Sequence, residues 1–157
     1  MKRAFIGMGA NLGPSRQTIT QAATQLAAHP LISALDLSPF YQSKPVDAQG
    51  PNYVNAVARV QTALPPLALL DLLQQIEQTH GRQRPYRNAP RTLDLDLLLY
   101  DGVQLNTNRL TLPHPRMHLR AFVLQPLRDL DPNLALRQGN LTKLLEACAD
   151  QAIEKLA

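Results

Sequence analysis

Apolar and polar residues alternate most clearly in two stretches of the chain, YVNAVARVQT and TLDLDLLLY, and this period of two predicts a β-strand in each. Residues 3–8 and part of residues 31–43 also have the character of strands. The glycines of the stretch GMGANLG are expected to serve a tight turn from the first strand into a helix. Four strands are therefore expected in the first 100 residues.

Helix signals lie between these strands. Pro14 stands where a first-turn proline begins a helix, which is expected to continue through Ala28. The Pro65-Pro66 pair begins the next helix, and Gly81 is expected just past its C-terminus. Further on, the stretches RAFVLQPLRDL and NLTKLLEACADQAIEKL are typical of helices. This order predicts one domain over residues 1–157 with an α+β fold, an α/β sandwich whose helices pack on a largely antiparallel sheet.

The stretch TLDLDLLLY is predicted to have a leucine face and an acidic face. Its core face is expected to carry Leu93, Leu95, Leu97 and Leu99, and its other face Asp94, Asp96, Leu98 and Tyr100. Carboxylates two residues apart on one strand face lie about 7 Å from each other, which is unfavourable unless cations lie beside them. Mg²⁺ prefers such oxygen ligands together with substrate phosphates. Salt bridges with arginines at the rim of the sheet would explain the same pair of acids.

The formal net charge of +4 and the pI near 9.6 favour an anionic partner without choosing among nucleotide, nucleic acid and lipid surface. No apolar run approaches the ~20 residues that span a bilayer. The single cysteine, Cys148, has no partner for an intrachain disulfide. A cytoplasmic protein is therefore expected.

Basic residues are concentrated next to the two acids. Four arginines in a ten-residue window directly precede them: Arg82, Arg84, Arg87 and Arg91. A second basic cluster follows: Arg109, His114, Arg116, His118 and Arg120. Because a guanidinium makes paired hydrogen bonds to phosphate, the arginine-rich loop is interpreted as a phosphate clamp, with a solvated surface as the alternative. His114 lies between two prolines, which favours a polar or phosphate contact over a core position.

Several classes of site are missing from the sequence. The stretch GMGANLG lacks the Gly-Lys-Ser/Thr ending of a P-loop, and protein-kinase signatures, a GxSxG elbow and zinc-site spacing are also absent. With no evident nucleophile, direct phosphoryl-type transfer fits the charged residues best. A basic RNA-binding module stays open, although seven aromatic residues offer no evident stacking platform. A magnesium-dependent nucleotidyl transferase or hydrolase is the other alternative.

A family resemblance runs over most of the chain. The runs PRTLDLDLLLYDG and NRLTLPHPRMHLRAFVLQPL resemble 6-hydroxymethyl-7,8-dihydropterin pyrophosphokinase, and so do GMGANLG, SPFYQSKPV and PNYVNAV. The resemblance implies a ferredoxin-like α+β fold, two Mg²⁺ ions, and small-molecule substrates rather than nucleic acid or membrane. It implies transfer of the pyrophosphoryl group of ATP to the pterin hydroxymethyl oxygen in folate biosynthesis, with AMP as the other product. A monomer is expected.

The resemblance also assigns roles by matching position. Asp94 and Asp96 would bind both magnesium ions, and Arg82 and Arg91 would hold the triphosphate. The pterin-binding residues would be Ser43, Lys44, Pro45, Val46, Tyr53, Asn55 and Phe122. The ATP-binding residues would be Gln74, Glu77, Arg84, Arg87, Leu97, Arg109, Thr111, His114 and Arg120. An aromatic pair and an amide suit a flat ring that has donors and acceptors on its rim.

Independently of the resemblance, Gln74 and Glu77 lie three apart on one face of the second predicted helix, where they would contact a ligand or form its hydrated flank. Two departures from the family pattern stand out. Asn88-Ala89 replaces a Trp-Gly pair that family members often carry, and Lys44-Pro45-Val46-Asp47 represents the family's PPLG-like turn.

Overall fold

The computed structural model of the chain describes residues 1–44, 51–81 and 93–157. The strands are β1 Lys2–Ala10, β2 Ile32–Leu37, β3 Tyr41–Ser43, β4 Tyr53–Thr62, β5 Asp94–Tyr100, β6 Leu105–Asn106, β7 Thr111–Leu112, β8 Ala135–Leu136, β9 Gly139–Asn140 and β10 Ile153–Lys155. The α-helices are α1 Ser15–Ala27, α2 Pro66–Thr79, α3 Ala121–Leu130 and α4 Leu141–Ala147, with a 3-10 helix at Met117–Leu119. No helix in the described ranges is long and apolar enough to cross a membrane.

The main sheet is antiparallel in every described pairing and has the order β10-β3-β4-β1-β5. β2 and β3 pair successive parts of the same edge of β4, on either side of an interruption at Ser38. Ser38 Oγ accepts a hydrogen bond from Val57 N at the interruption, so β4 keeps its partners there. Counting β2 and β3 as one interrupted strand, the order β-α-β-β-α-β is that of a ferredoxin-like unit. The predicted α+β fold with an antiparallel sheet is confirmed.

Helices cover the sheet on both faces, and each face has its own buried cluster. The first cluster joins α1 and α2 to the side chains of one sheet face, with Ile6, Leu26 and Leu73 fully buried in it. The second cluster joins α3 and α4 to the other face, around Phe5 and Leu124. The sheet is therefore the middle layer of three.

The predicted helix boundaries before residue 82 agree with the structure. Pro14 precedes α1, and Pro66 is the first residue of α2. Gly81 has φ +73°, and its N–H donates to Gln78 O just after α2, as expected of a residue that ends a helix.

Two predictions about the strands are wrong. Gly7 and Gly9 lie inside β1 and not in the turn that follows it, where Gly13 (φ +67°) is found. The register of β1 with β5 shifts between Phe5 and Ile6, because Phe5 pairs with Leu99 while Ile6 pairs with Leu97. This bulge inserts one extra residue, Leu98.

Because of the bulge, Leu99 and Tyr100 lie on the sheet faces opposite to those that strict alternation predicts. Leu98 and Leu99 pack with the second cluster, whereas Tyr100 packs with the first. Leu99 is therefore on the face of the two aspartates, and Tyr100 is on the opposite face, contrary to strict alternation.

The helix expected from the stretch NLTKLLEACADQAIEKL is also only partly correct. α4 ends at Ala147, and Ile153–Lys155 form β10, which pairs with β3. Pairing with an available strand edge outweighs the helical character of this sequence.

Candidate active site

A cavity of about 700 Å³ opens on the sheet face that α3 covers only in part. It is lined by Gly7, Met8, Gly9, Ser43, Lys44, Tyr53, Asn55, Ala56, Asp94, Asp96, Arg116, Leu119, Arg120, Phe122, Val123 and Gln151. These residues come from four neighbouring strands, from the 3-10 helix and the residues on either side of it, from the start of α3 and, at Gln151, from the C-terminal end of the chain. The cavity therefore brings together segments that are far apart in sequence.

Two glycines of the central strand β1 form the floor of the cavity. Gly9 pairs with Asn55 on one side and Asp94 on the other, and Gly7 pairs with Asp96. Next along the same face is Phe5, which is buried in the second cluster. The face thus changes from packed to open where β1 has no side chains. A Cβ on Gly9 would lie 3.3 Å from Asn55 Oδ1, so even a methyl group would crowd the floor.

Asp94 and Asp96 form one wall. Both are half-buried, and both alternate with leucines of the first cluster, which confirms that the two acids share a strand face. The backbone between them is held from outside the sheet, because Leu95 N donates to Glu77 Oε2 at 2.9 Å. Glu77 is 4% exposed. This bond fixes the strand segment that carries the two carboxylates.

Within residues 1–44, 51–81 and 93–157 no cluster of three or more His, Cys, Asp or Glu side chains could hold a metal ion. The two carboxylates nevertheless have the donor chemistry of a magnesium site that takes its remaining ligands from phosphates and water.

The opposite wall carries a buried amide. Asn55 is 4% exposed, and its Nδ2 donates to Ser43 Oγ at 2.7 Å. This bond turns Oδ1 of Asn55 toward the floor above Gly9. Tyr53, two residues earlier on β4, is half-buried in the same wall. Because adjacent strands lie about 4.8 Å apart, Asn55 and Asp94 are separated by roughly 10 Å across β1.

The segment before α3 adds positive charge, and the first turn of α3 adds an aromatic ring. Arg116 and Arg120 line the cavity, and Arg120 Cζ lies 5.7 Å from the centroid of the Phe122 ring. Phe122 is half-buried and packs against the second cluster. Lys44 also lines the cavity and is exposed. The cavity thus combines two acids with three basic residues.

His114 lies near this segment as a neutral donor. Its Nδ1 accepts from Arg116 N at 3.1 Å, which leaves the ring proton on Nε2. The backbone N–H of His114 donates to Leu98 O. Burial, with a smaller effect of Arg120 and Arg116, lowers the pKa of His114 from its ordinary value of 6.5 to about 4. The ring is therefore uncharged at neutral pH.

In the comparison with protein families, residues 5–132 match the model of 7,8-dihydro-6-hydroxymethylpterin-pyrophosphokinase. The chain belongs to this family. A 2-amino-4-hydroxy-6-hydroxymethyldihydropteridine pyrophosphokinase of Pseudomonas aeruginosa is 44% identical over 99% of this chain and 98% of its own length. The protein of the same name from Haemophilus influenzae is 41% identical over 99% of each chain.

Solved structures share the fold. The crystal structure of wild-type Plasmodium falciparum HPPK-DHPS with SDX-DHP matches 94% of this chain with a TM-score of 0.71 and 14% identity. This chain spans 43% of that longer protein. At this identity the likeness supports the pyrophosphokinase fold and nothing further.

The structure brings some of the residues predicted for this pyrophosphokinase together in the cavity and leaves others outside it. Inside are Ser43, Lys44, Tyr53, Asn55, Asp94, Asp96, Arg120 and Phe122. Elsewhere, Arg109 donates to Asp71 Oδ1 at 2.6 Å and to Gln74 Oε1 at 3.3 Å, so it lies against α2. Thr111 lies in β7. Leu97 is 3% exposed in the first cluster. Their contacts with ATP stay predictions, as does that of Glu77.

Other predicted site residues lie outside the described residues. They are Pro45, Val46, Arg82, Arg84, Arg87 and Arg91, and the departures at Asp47 and Asn88-Ala89 fall there too. Sequence reasoning missed several residues that line the cavity: Gly7, Gly9, Arg116 as a lining residue, and Gln151. The position of the glycines opposite the acids becomes visible only once the strand register is known.

Proposed function

We propose that this member of the family transfers the pyrophosphoryl group of ATP to the hydroxymethyl oxygen of 6-hydroxymethyl-7,8-dihydropterin. The products are AMP and the pterin diphosphate, as a step of folate biosynthesis. The names of bacterial relatives that this chain matches over nearly their whole length support the proposal. The observation that carries it is the division of one cavity into an amide and aromatic wall and an acidic wall.

The pterin would occupy the wall formed by Tyr53, Asn55 and Phe122. Its ring faces are apolar and suit the two aromatic side chains, while its rim offers N–H groups to Asn55 Oδ1. The flat floor over Gly9 supports this assignment, because a larger residue there would project into the ring's place. Ser43 contributes by holding the Asn55 amide in one orientation.

Magnesium would be held by Asp94 and Asp96, with two ions proposed. When bound, Mg²⁺ neutralises charge on the ATP phosphates and orients them for in-line displacement. Arg116 and Arg120 also line the cavity, and they would add positive charge that offsets the charge developing on the phosphates. Neutral His114 can donate from Nε2 to a phosphate oxygen without a change of protonation.

The proposed reaction is a single displacement at the β-phosphorus of ATP. The pterin hydroxyl oxygen forms a bond to the β-phosphorus of ATP, and the bond from that phosphorus to the oxygen it shares with the α-phosphorus breaks. The hydroxyl proton is released, and AMP leaves with the bond's electron pair. The roughly 10 Å between Asn55 and Asp94 leaves room for the ring beside the phosphates. Arg82 and Arg91 are proposed to hold the triphosphate, with Arg84 and Arg87 nearby in sequence.

A single domain over residues 1–157, a monomeric state, a cytoplasmic location and the absence of nucleic-acid binding remain part of the proposal. Family membership does not favour the RNA-binding alternative. A hydrolase or nucleotidyl transferase would use the same two acids, and the products distinguish these reactions.

The test is product analysis. The purified chain is incubated with Mg²⁺, ATP and the hydroxymethyl dihydropterin, and the products are identified by mass. The expected result is AMP and a pterin whose mass has increased by a pyrophosphoryl group. Free phosphate with unchanged pterin would support a hydrolase instead, and oligonucleotide binding without ATP turnover would support the RNA-binding module.

A further inference from the structure

The C-terminal segment, residues 148–157, contributes a side chain to the cavity although it lies beyond the family match, which ends at residue 132. Gln151 Oε1 accepts from Ala121 N at 2.9 Å, and Gln151 Nε2 donates to Leu119 O at 2.7 Å. One side-chain amide therefore binds the backbone on both sides of Arg120. No other described side chain makes both of these bonds.

This segment of backbone needs an outside partner. The 3-10 helix ends at Leu119, and Arg120 is extended, with φ −122° and ψ 109°, before α3 begins at Ala121. The first N–H groups of a helix have no partner within it, and no side chain at Arg120 caps α3. Gln151 supplies an acceptor for the first of these N–H groups, that of Ala121.

Gln151 is itself held in place from both directions along the chain. Its N–H donates to Cys148 O at 2.9 Å, and Cys148 is 5% exposed in the second cluster. Two residues later β10 begins, and Ile153 pairs with Ser43 of β3. The C-terminal segment thus connects β3, which carries Ser43, to the start of α3, which carries Phe122.

We propose that Gln151 is a positioning residue of the pterin site, acting through the backbone of Leu119 and Ala121 to set the places of Arg120 and Phe122. This inference rests on the proposed function for its kinetic consequence. The geometric basis of the proposal is the pair of hydrogen bonds made by the Gln151 amide. This pair requires a side chain that both donates and accepts. Methionine has nearly the same size and does neither well, and glutamate keeps only the acceptor.

The experiment compares Gln151→Met and Gln151→Glu with Gln138→Met, a matched change at an exposed position between β8 and β9. In Gln151→Met the KM for the pterin is expected to rise roughly three- to tenfold, because the variant loses about one net hydrogen bond that orders this backbone. The melting temperature should change little. Gln151→Glu should lie between Gln151→Met and the unsubstituted chain, and Gln138→Met should match the latter.

A second readout does not depend on activity. In the unsubstituted chain the Ala121 amide hydrogen should exchange slowly with solvent, and in Gln151→Met it should exchange faster while the core of α3 stays protected. A lower melting temperature with unchanged pterin KM would overturn the positioning role, and so would equal Ala121 exchange in both proteins. If the proposed function is wrong, the result would be different: the unsubstituted chain would form no AMP, but the Ala121 amide hydrogen would still exchange faster in Gln151→Met.

Discussion

The two faces of the main sheet are built from the same strands and have opposite character. On the first face, Ala4, Ile6, Met8 and Ala10 of β1 are all buried beneath α1 and α2. On the second face, the residues between them are Phe5, which is buried, and then Gly7 and Gly9, which line the cavity. The first face is packed along its full length, whereas the second is packed at one end and open at the other.

This difference shows how a short chain combines stability with a binding site. The continuous apolar face anchors β1, β4 and β5, so the alternating positions of β4 and β5 on the other face are free to carry Asp94, Asp96 and Asn55. Substitutions on the first face should therefore affect folding, and substitutions at the open end of the second should affect activity.

The largest effect is expected from the acidic wall. Asp96→Ala should lower kcat/KM at least about a hundredfold, because a carboxylate proposed to hold Mg²⁺ beside the phosphates is lost. The melting temperature should hardly change. The control is Asp36→Ala, which removes an exposed ion pair with Arg59 and should leave kcat/KM within about twofold. Steady-state kinetics with AMP detection gives the answer, and full activity in Asp96→Ala would remove the metal assignment.

The first face should show the reverse pattern. Leu73 is fully buried between α2 and the sheet, and Leu73→Ala should reduce the free energy of unfolding by about 2–5 kcal/mol. Urea unfolding measures this loss. At a temperature where the variant is folded, its KM for the pterin should equal that of the unsubstituted chain. A raised KM there would mean that the two faces are coupled.

A smaller effect is expected at the floor of the cavity. In Gly9→Ala the new methyl group would lie 3.3 Å from Asn55 Oδ1 and 3.7 Å from Tyr53 Cδ1, so the pterin KM should rise roughly tenfold. Gly7→Ala is the comparison, because the nearest neighbour of its Cβ would be the Leu98 side chain, at 3.4 Å, and it should raise the KM less. Steady-state kinetics at varied pterin concentration check the order of the two KM values, and equal effects of the two changes would argue against a ring over Gly9.

The smallest expected effect concerns pH. Because the folded pKa of His114 is lowered to about 4, the unfolded chain binds this proton more readily between pH 6.5 and 4. Its contribution to stability is present above pH 6.5 and is lost as the pH falls toward 4. His114→Asn keeps an acceptor for Arg116 N and does not titrate. As the pH falls from 6.5 to 4, the free energy of unfolding of His114→Asn should decrease less than that of the unsubstituted chain. The difference should be on the order of 1 kcal/mol after allowance for solvent screening.

Denaturant unfolding of both proteins at several pH values measures that difference. Parallel pH profiles would mean that His114 titrates in the folded protein as it does in an unfolded chain.

The parts of the fold that follow from local pattern could be predicted from the sequence. The stretch YVNAVARVQT has alternating character and forms β4 over the same residues, Tyr53–Thr62. The shared face of Asp94 and Asp96 followed from the same period. After Asp96 the run of leucines has no alternation to read, so the bulge at Leu98 could not be seen. It is decided by pairing with β1.

Long-range contacts explain the remaining differences. Ile153–Lys155 form a strand because the edge of β3 is available, and nothing in these residues indicates that edge. Gln151 reaches Ala121 across 30 positions of sequence, so no local motif marks it. Gly7 and Gly9 had a sequence signal, but only the register opposite Asp96 and Asp94 turns it into a cavity floor.

The most direct test is a crystal structure of the chain with the hydroxymethyl dihydropterin, Mg²⁺ and a non-hydrolysable ATP analogue. We expect the pterin ring over Gly9 between Tyr53 and Phe122, with an N–H group within hydrogen-bond distance of Asn55 Oδ1. Mg²⁺ should be bound by the carboxylates of Asp94 and Asp96, between the protein and the phosphates. A ring bound elsewhere, or phosphates bound away from these two carboxylates, would contradict it.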